Sequence, residues 1–175
     1  MKVLIEGLDN VGKDTQINAI IKHFKKTFLH LHYYGCPIKN DKEANIQWTT
    51  ELYTEMFDIL KCKDNVICNR SHIGEMVYAE LYRGYSGDFV LDIEAKYPHN
   101  DLMLITFVDE AENLIERDDG LSFTTDIDKK RKEIDLFVKA HNKSNIGYKL
   151  LININNMSIE EVTNKVIEFI TLNSK

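Results

Sequence analysis

A chain of 175 residues, 43% hydrophobic and 29% charged, is long enough to bury the core of one domain and too apolar for disorder. Its formal charge of −6 excludes the broad basic surface that binds a nucleic acid polymer, while leaving room for a local basic site that takes a small phosphorylated ligand. Cys36, Cys62 and Cys68 have no C-x-x-C spacing, which argues for reduced thiols over a disulfide framework or zinc site. No apolar run reaches the roughly 20 residues of a membrane span, so no membrane association is expected. A first strand starting near residue 2 leaves no room for a leader, and a cytoplasmic protein is the expectation.

Val3-Leu4-Ile5 predicts the first strand, and Ile17, Ile20, Ile21, Phe24 and Phe28 fall on one face of the helix expected after it. Between them lies Glu6-Gly7-Leu8-Asp9-Asn10-Val11-Gly12-Lys13-Asp14-Thr15. The spacing Gly7-x4-Gly12-Lys13 is that of a phosphate-binding loop, whose small residues let backbone N–H groups surround phosphate oxygens at a helix N-terminus. Gly7, Asn10, Val11, Gly12, Lys13, Asp14 and Thr15 would form the nucleotide cradle, with Lys13 reaching the β- and γ-phosphates. Where the usual pattern has a Ser or Thr hydroxyl for Mg²⁺, this chain has Asp14, a hard oxygen ligand that could hold Mg²⁺ directly or through water. A first-turn acid favoured by the helix dipole is the other reading of Asp14.

Leu29 to Tyr34 alternates as a strand does, and Gly35-Cys36-Pro37 ends it. Residues 43–61 read as a helix with Leu52, Met56, Ile59 and Leu60 at suitable intervals. Asn65 to Cys68 reads as a short buried strand with Asn69-Arg70 at its C-terminal end. Ser71 to Arg83 predicts a helix on the inner stripe Ile73, Val77 and Leu81, and a shorter helix is expected near Phe89 to Tyr97. Leu102 to Val108 is a long apolar strand, Asp109 to Arg117 a short helix, and the polar residues 118–128 break the pattern. Lys129 to Lys139 then predicts a helix whose basic start, Lys129-Lys130-Arg131, reads as a solvated face. Tyr148 to Ile154 reads as another buried strand and Ser158 to Leu172 as a closing amphipathic helix.

This alternation predicts a P-loop three-layer α/β/α fold with a mostly parallel five-stranded sheet, formed as a single domain over 1–175 with a short lid at about 117–131. In such a sheet the ligand crevice lies beyond the strands' carboxyl ends. The P-loop, Tyr33 to Pro37 and Asn69-Arg70 all follow strand ends and so converge there. Arg70 offers a planar fork for a second phosphate, with a strand-end salt bridge as its other reading.

These residues resemble the thymidylate kinase family. The resemblance rests on Glu6-Gly7-Leu8-Asp9-x-x-Gly12-Lys13-x-Thr15-Gln16, on Asn69-Arg70 where the family has Asp-Arg, and on Tyr78 nine positions after Asn69. It implies transfer of the γ-phosphate of ATP, with Mg²⁺, to dTMP or a related deoxynucleoside monophosphate in nucleotide biosynthesis; the family usually assembles as a homodimer. By the same resemblance Asp9 contacts the acceptor sugar, Arg70 its phosphate, and Tyr78 fills the space of a 2′-hydroxyl. Arg117, ahead of Asp118-Asp119-Gly120, resembles the arginine that opens the lid and stabilises the migrating phosphoryl group. An exposed helix-end arginine is its other reading.

Two departures stand out. Tyr34-Gly35-Cys36-Pro37 replaces the family's basic-acidic-proline-glycine segment, and Asn69 replaces a carboxylate while Asp14 supplies one from the P-loop. Compact, divergent versions of this kind look like phage-encoded nucleotide kinases, which would work in the host cytoplasm. A deoxynucleoside kinase is the first alternative, because Asn69-Arg70-Ser71 and Leu81-Tyr82-Arg83 resemble that family too. Such an enzyme needs a carboxylate base near the end of strand two, for which Glu6 is the substitute at hand. A nucleotide-binding regulator without efficient transfer is the second.

Overall fold

The computed structural model describes residues 1–34, 41–98, 100–120 and 122–174. Five strands, β1 (Lys2–Gly7), β2 (Leu29–His32), β3 (Val66–Asn69), β4 (Leu102–Val108) and β5 (Tyr148–Asn153), form one sheet in the order β2-β3-β1-β4-β5. Every neighbouring pair is parallel. Parallel strands need crossovers, and helices supply them: α1 (Lys13–Phe24), α2 (Lys42–Cys62), α3 (Ile73–Tyr78) with α4 (Phe89–Glu94), and α5 (Ala111–Glu116) with α6 (Ile127–Lys143), while α7 (Ile159–Asn173) follows the last strand. Helices α1 and α7 pack on each other, while α3 packs on α6 and α2 on α4, which gives the α/β/α layering the sequence predicts.

Strands β1, β3 and β4 are continuous apolar runs because both of their faces are covered. Val3, Leu4, Ile5, Val66, Ile67, Leu104 and Ile105 have no exposed surface. Because the chain goes from β1 outward to β2, back to β3, then across to β4, β1 is the strand at which the direction of winding reverses. The loop leaving its C-terminal end lies at the switch point of the sheet.

Several local expectations need correction. Strand β5 is an edge strand in which only Ile152 is buried, because β4 covers one side alone. Helix α1 stops at Phe24, so Phe28 lies outside it, with Lys25 in the left-handed region closing the helix. The inner stripe of α2 runs through Asn45, Thr49, Tyr53, Met56, Phe57 and Leu60, which leaves Leu52 and Ile59 half-buried. Lys130 does not join a solvated face: it is 2% exposed and pairs with the equally buried Glu133 at 2.7 Å. The helix expected from Ser71 begins at Ile73, and its last turn, Ala79–Arg83, is a π-turn closed by Gly84 at φ 72°. Gly35-Cys36-Pro37 lies outside the described residues.

The turn after β3 is held from behind by a buried polar cluster. His72 Nε2 lies 2.7 Å from Glu94 Oε2, and neither side chain has exposed surface. Ser144 Oγ donates to Glu94 Oε2 at 2.7 Å and Asn145 N to Oε1 at 2.6 Å. Burial alone would raise the Glu94 carboxyl; His72, Ser144 and the Asn145 amide outweigh it and hold it down at about 2. Glu94→Ala, which strands His72 in the core, is expected to cost ~3 kcal/mol in chemical denaturation. A carboxyl depressed in the folded state stabilises above its unfolded value, roughly 4.3. The wild type therefore loses this contribution as pH falls toward about 2, and the variant, having none, should show a shallower acid dependence of stability over that window.

Candidate active site

The P-loop follows from close packing at the end of β1. Gly7 pairs with Phe107 of β4 at φ 137°, and a Cβ there would stand 2.3 Å from the Phe107 carbonyl oxygen, so only glycine fits. Asn10 at φ 63° and Gly12 at φ 78° are both left-handed, which turns successive backbone amides toward the concave side of the loop. Gly12 caps α1 with no side-chain hydrogen bond, which puts the helix's N-terminal N–H groups at the end of the loop. Lys13, the first helical residue, is buried, and its Nζ donates to Gly7 O at 3.0 Å and Leu8 O at 2.6 Å across the loop. Burial, then the Arg70 charge, lower its ammonium to about 8 against the opposing pull of Glu6, Asp9 and Asp14.

Glu6 has no exposed surface and joins two loops. Its Oε1 accepts from Gly7 N at 3.0 Å, and its Oε2 accepts from Ser71 N at 2.7 Å and Ser71 Oγ at 3.2 Å. Both oxygens are thus committed to holding the P-loop against the turn after β3. Gly74 keeps that turn close, since a Cβ there would stand 3.1 Å from Glu6 Oε2. Arg70 sits in the turn at φ 71°, pinned by its N–H to Ile5 O at 2.8 Å. A left-handed arginine costs about 1 kcal/mol of backbone strain, and the conformation turns its side chain toward the P-loop. There Arg70 Nη2 donates to Asp9 Oδ1 at 2.6 Å.

The two residues that trade the carboxylate also meet: Asn69 Nδ2 donates to Asp14 Oδ1 at 2.7 Å. Asn69 is 1% exposed, and its Oδ1 is buried with no hydrogen-bond partner among the described residues. Among the described residues no group of three or more histidine, cysteine or carboxylate side chains is arranged to cage a metal. Mg²⁺ asks for less, since one or two carboxylates suffice beside nucleotide phosphates. Exposed Asp14 and the unpartnered Asn69 oxygen are hard ligands that fit it.

Lys13, Asp9, Asp14, Arg70 and Tyr78 open on one cleft of about 640 Å³. Its mouth is bordered by His32 and Tyr34, whose rings stack at 4.5 Å. Tyr78 is both core and wall: its ring meets Phe137 edge-on at 5.8 Å and lies 5.2 Å from Phe123. Phe123 comes from the segment after α5, is 61% exposed, and also stacks on Tyr82 at 5.0 Å. Ser122 Oγ accepts from Asn10 Nδ2 at 3.4 Å, so this segment touches the P-loop directly. Of the expected lid at 117–131, the stretch from Ile127 onward is already helix α6, capped by Asp126.

Arg117 is not brought into this cleft. It ends α5, its guanidinium pairs with Asp109 at the end of β4, and its Nε donates to Asn113 O at 3.0 Å. Instead it borders a second cavity of about 240 Å³ on the other side of the P-loop, with Val11, Ile154, Met157, Ile159 and Val162. Asn10, Gly12 and Thr15 border both spaces.

The sequence reading missed Tyr53, Glu75 and Phe123 as cleft residues and gave Arg83 no role in this one. A lone carboxylate at Glu75 in the otherwise uncharged run Ile73 to Tyr78, three positions before Tyr78, was the available signal.

No protein-family model matches this chain, and no curated protein matches it in sequence. Solved structures do. The YorR protein of Bacillus subtilis, solved in complex with phosphorylated GDP, superposes with a TM-score of 0.71 at 18% identity, covering 98% of this chain and 96% of its own. A thymidylate kinase from Candida albicans superposes with a TM-score of 0.72 at 18% identity, covering 98% and 91%. The sheet order, the loop at its switch point and these whole-length superpositions agree: the chain has the P-loop α/β fold found in thymidylate kinase.

Proposed function

We propose that this protein transfers the γ-phosphate of ATP to a 2′-deoxynucleoside monophosphate, dTMP or a relative differing in its base, and releases the diphosphate. The observation that carries this reading is the opening of Lys13 and Arg70, two cationic groups from different strand ends, onto one cleft. Transfer between phosphates needs a phosphate site on each side of the moving group, and those two side chains supply one each. The Candida albicans neighbour is a thymidylate kinase, and the YorR neighbour holds a guanine nucleotide; both agree with a nucleotide in the cleft.

In this reading Gly7, Asn10, Val11, Gly12 and Thr15 cradle the donor phosphates with their backbone, and Lys13 turns from the Gly7 and Leu8 carbonyls to the β- and γ-phosphates. The half-apolar cavity beside Arg117 serves the donor's base and ribose. Arg70 exchanges part of its contact with Asp9 for the acceptor phosphate, which frees the Asp9 carboxylate to accept from the sugar hydroxyl. Tyr78, locked between Phe137 and Phe123, closes the space a 2′-hydroxyl would need. Asp14, oriented by Asn69, would hold Mg²⁺, which would supply charge neutralisation at the donor phosphates. An acceptor phosphate is ionised at neutral pH and attacks in line without a general base. A nucleoside acceptor would need one, and Glu6, the substitute for that task, has both oxygens bonded. No described helix is long and apolar enough to cross a membrane, and the proposed partners are nucleotides alone.

The direct test is ATP-dependent ADP formation that requires an added deoxynucleoside monophosphate. Lys13→Ala should reduce kcat/KM by at least ~10³-fold with little change in melting temperature, since the lysine contributes charge at the phosphates and little to the core. Near-normal turnover in that folded variant would remove the P-loop assignment.

Because Lys13 titrates near 8, ATP affinity measured by calorimetry should weaken as pH rises through about 8, where the ammonium is lost. Binding above that pH should take up protons, because phosphate favours the charged lysine. Affinity that stays level from about pH 6 to 9 would contradict the contact.

For the metal, Asp14→Ser combined with Asn69→Asp should retain more activity than Asp14→Ser alone, because the carboxylate is returned from the strand end. A double-mutant cycle in kcat/KM at varied Mg²⁺ measures the coupling, expected to exceed ~1 kcal/mol for side chains in direct contact. Strict additivity with unchanged metal dependence would show that the two positions do not share the ion.

A further inference from the structure

The cleft has a second electrostatic centre that the phosphate chemistry does not use. Glu75, on α3, and Arg83, at the end of the π-turn, are ion-paired and both border the cleft, with side chains 4% and 15% exposed. In a continuous α-helix, residues eight apart are separated by about 12 Å along the axis. The π-turn and the left-handed Gly84 fold the chain back, Tyr85 N donating to Ala79 O at 3.3 Å, and so bring Arg83 and Tyr85 onto Glu75. Such π-turns are often found at functional sites.

The remaining hydrogen-bonding capacity of this cluster is specific. Glu75 Oε2 accepts from Arg83 Nη2, and Oε1 accepts from Tyr85 OH at 3.1 Å. A carboxylate has about two acceptor sites on each oxygen, so each oxygen keeps one. Arg83 uses Nη2 on Glu75 and Nε on Tyr85 OH at 3.1 Å, which leaves guanidinium N–H groups on its other nitrogen. The cluster therefore borders the cleft with acceptor capacity left on both Glu75 oxygens next to an Arg83 donor. Tyr53 from α2 and Tyr78 from α3 give the same cleft aromatic walls against which a planar ring can lie.

We infer that Glu75 and Arg83 read the base of the acceptor, selecting an N–H beside a carbonyl and matching guanine most fully. This rests on the reading of the cleft as a deoxynucleoside monophosphate site. Guanine N1–H and N2–H donate to the two Glu75 oxygens while O6 accepts from Arg83. Thymine offers N3–H and O4 to the same pair, but its O2 then faces the second carboxylate oxygen with no proton between them. Adenine N1 and cytosine N3 are unprotonated acceptors, and each would turn a lone pair toward the buried carboxylate, which a site built for hydrogen bonding rejects strongly.

The experiment measures binding by calorimetry and ADP formation for dGMP, dIMP, dTMP, dAMP and dCMP, with wild type and Glu75→Gln. Wild type should bind dGMP about tenfold or more tighter than dIMP, which lacks only the N2 amino group, and bind dAMP and dCMP at least ~100-fold more weakly than dGMP. Glu75→Gln keeps the shape and an acceptor for Arg83 but turns one acceptor into a donor. The dGMP-to-dIMP ratio should shrink toward one, and dAMP should gain relative to dGMP. Wild-type binding of dAMP or dCMP as tight as that of dGMP would overturn the inference without any variant, as would an unchanged base preference in folded Glu75→Gln. Selective dGMP binding with no ADP formed from any acceptor would remove the kinase reading and leave base reading standing. Equal transfer to all bases would do the reverse, and neither binding nor transfer with any base would remove both.

Discussion

The arrangement of the site depends on one buried carboxylate. Glu6 ends the apolar core of β1 with no exposed surface, and its two oxygens take the backbone of Gly7 on one side and of Ser71 on the other. A buried carboxylate is tolerated only where its lone pairs are satisfied, so the loop after β1 and the turn after β3 are held to the geometry that satisfies it. Lys13 and Arg70 are thereby drawn to the same cleft although 57 positions separate them in the sequence. Gly74 belongs to the same constraint, because any side chain there would press on the carboxylate.

Around that constraint the chain accepts unfavourable backbone conformations. Gly7, Asn10, Gly12 and Arg70 all have positive φ, and they cluster at the ends of two adjacent parallel strands. At Gly7 the reason is steric, the approach of β4; at Arg70 it is directional, because a left-handed residue turns the guanidinium back toward Asp9. The cost at Arg70 and Asn10, about 1 kcal/mol each, is offset by backbone bonds such as Arg70 N to Ile5 O and by the buried sheet beneath.

Charge balance explains the departures from the usual P-loop pattern. The carboxylate that the resembled thymidylate kinase pattern carries at the strand end stands here in the first turn of α1, which keeps one acid beside the proposed phosphate site, and the Asn69 amide donates to it. Asp9 restrains Arg70 in the same manner, and Asp109 restrains Arg117, so three polar side chains that face nucleotide positions in the proposed reaction are ion-paired or hydrogen-bonded within the protein. Each such contact orients a flexible side chain beforehand and reduces what binding must order.

The sequence by itself determined what depends on near neighbours. The Gly7-x4-Gly12-Lys13 spacing defined the loop, and the apolar periods around it defined the alternating strands and helices, because backbone geometry repeats every two or every 3.6 residues. From those followed the parallel sheet, the crevice at its strand ends, and the common position of Lys13 and Arg70. Tertiary structure alone decided the rest. The Asp9–Arg70 and Asn69–Asp14 contacts join residues more than fifty positions apart, and no local period encodes them. Lys130 turns inward because Glu133 is there to meet it, and β5 is half exposed because among the described residues it is an edge strand. Arg117 belongs to the far side of the P-loop because Asp109 of the neighbouring strand end captures it. The Glu75–Arg83 pair needed a π-turn, a one-residue change in helical register that leaves no mark in the apolar pattern and yet decides which side chains face the cleft.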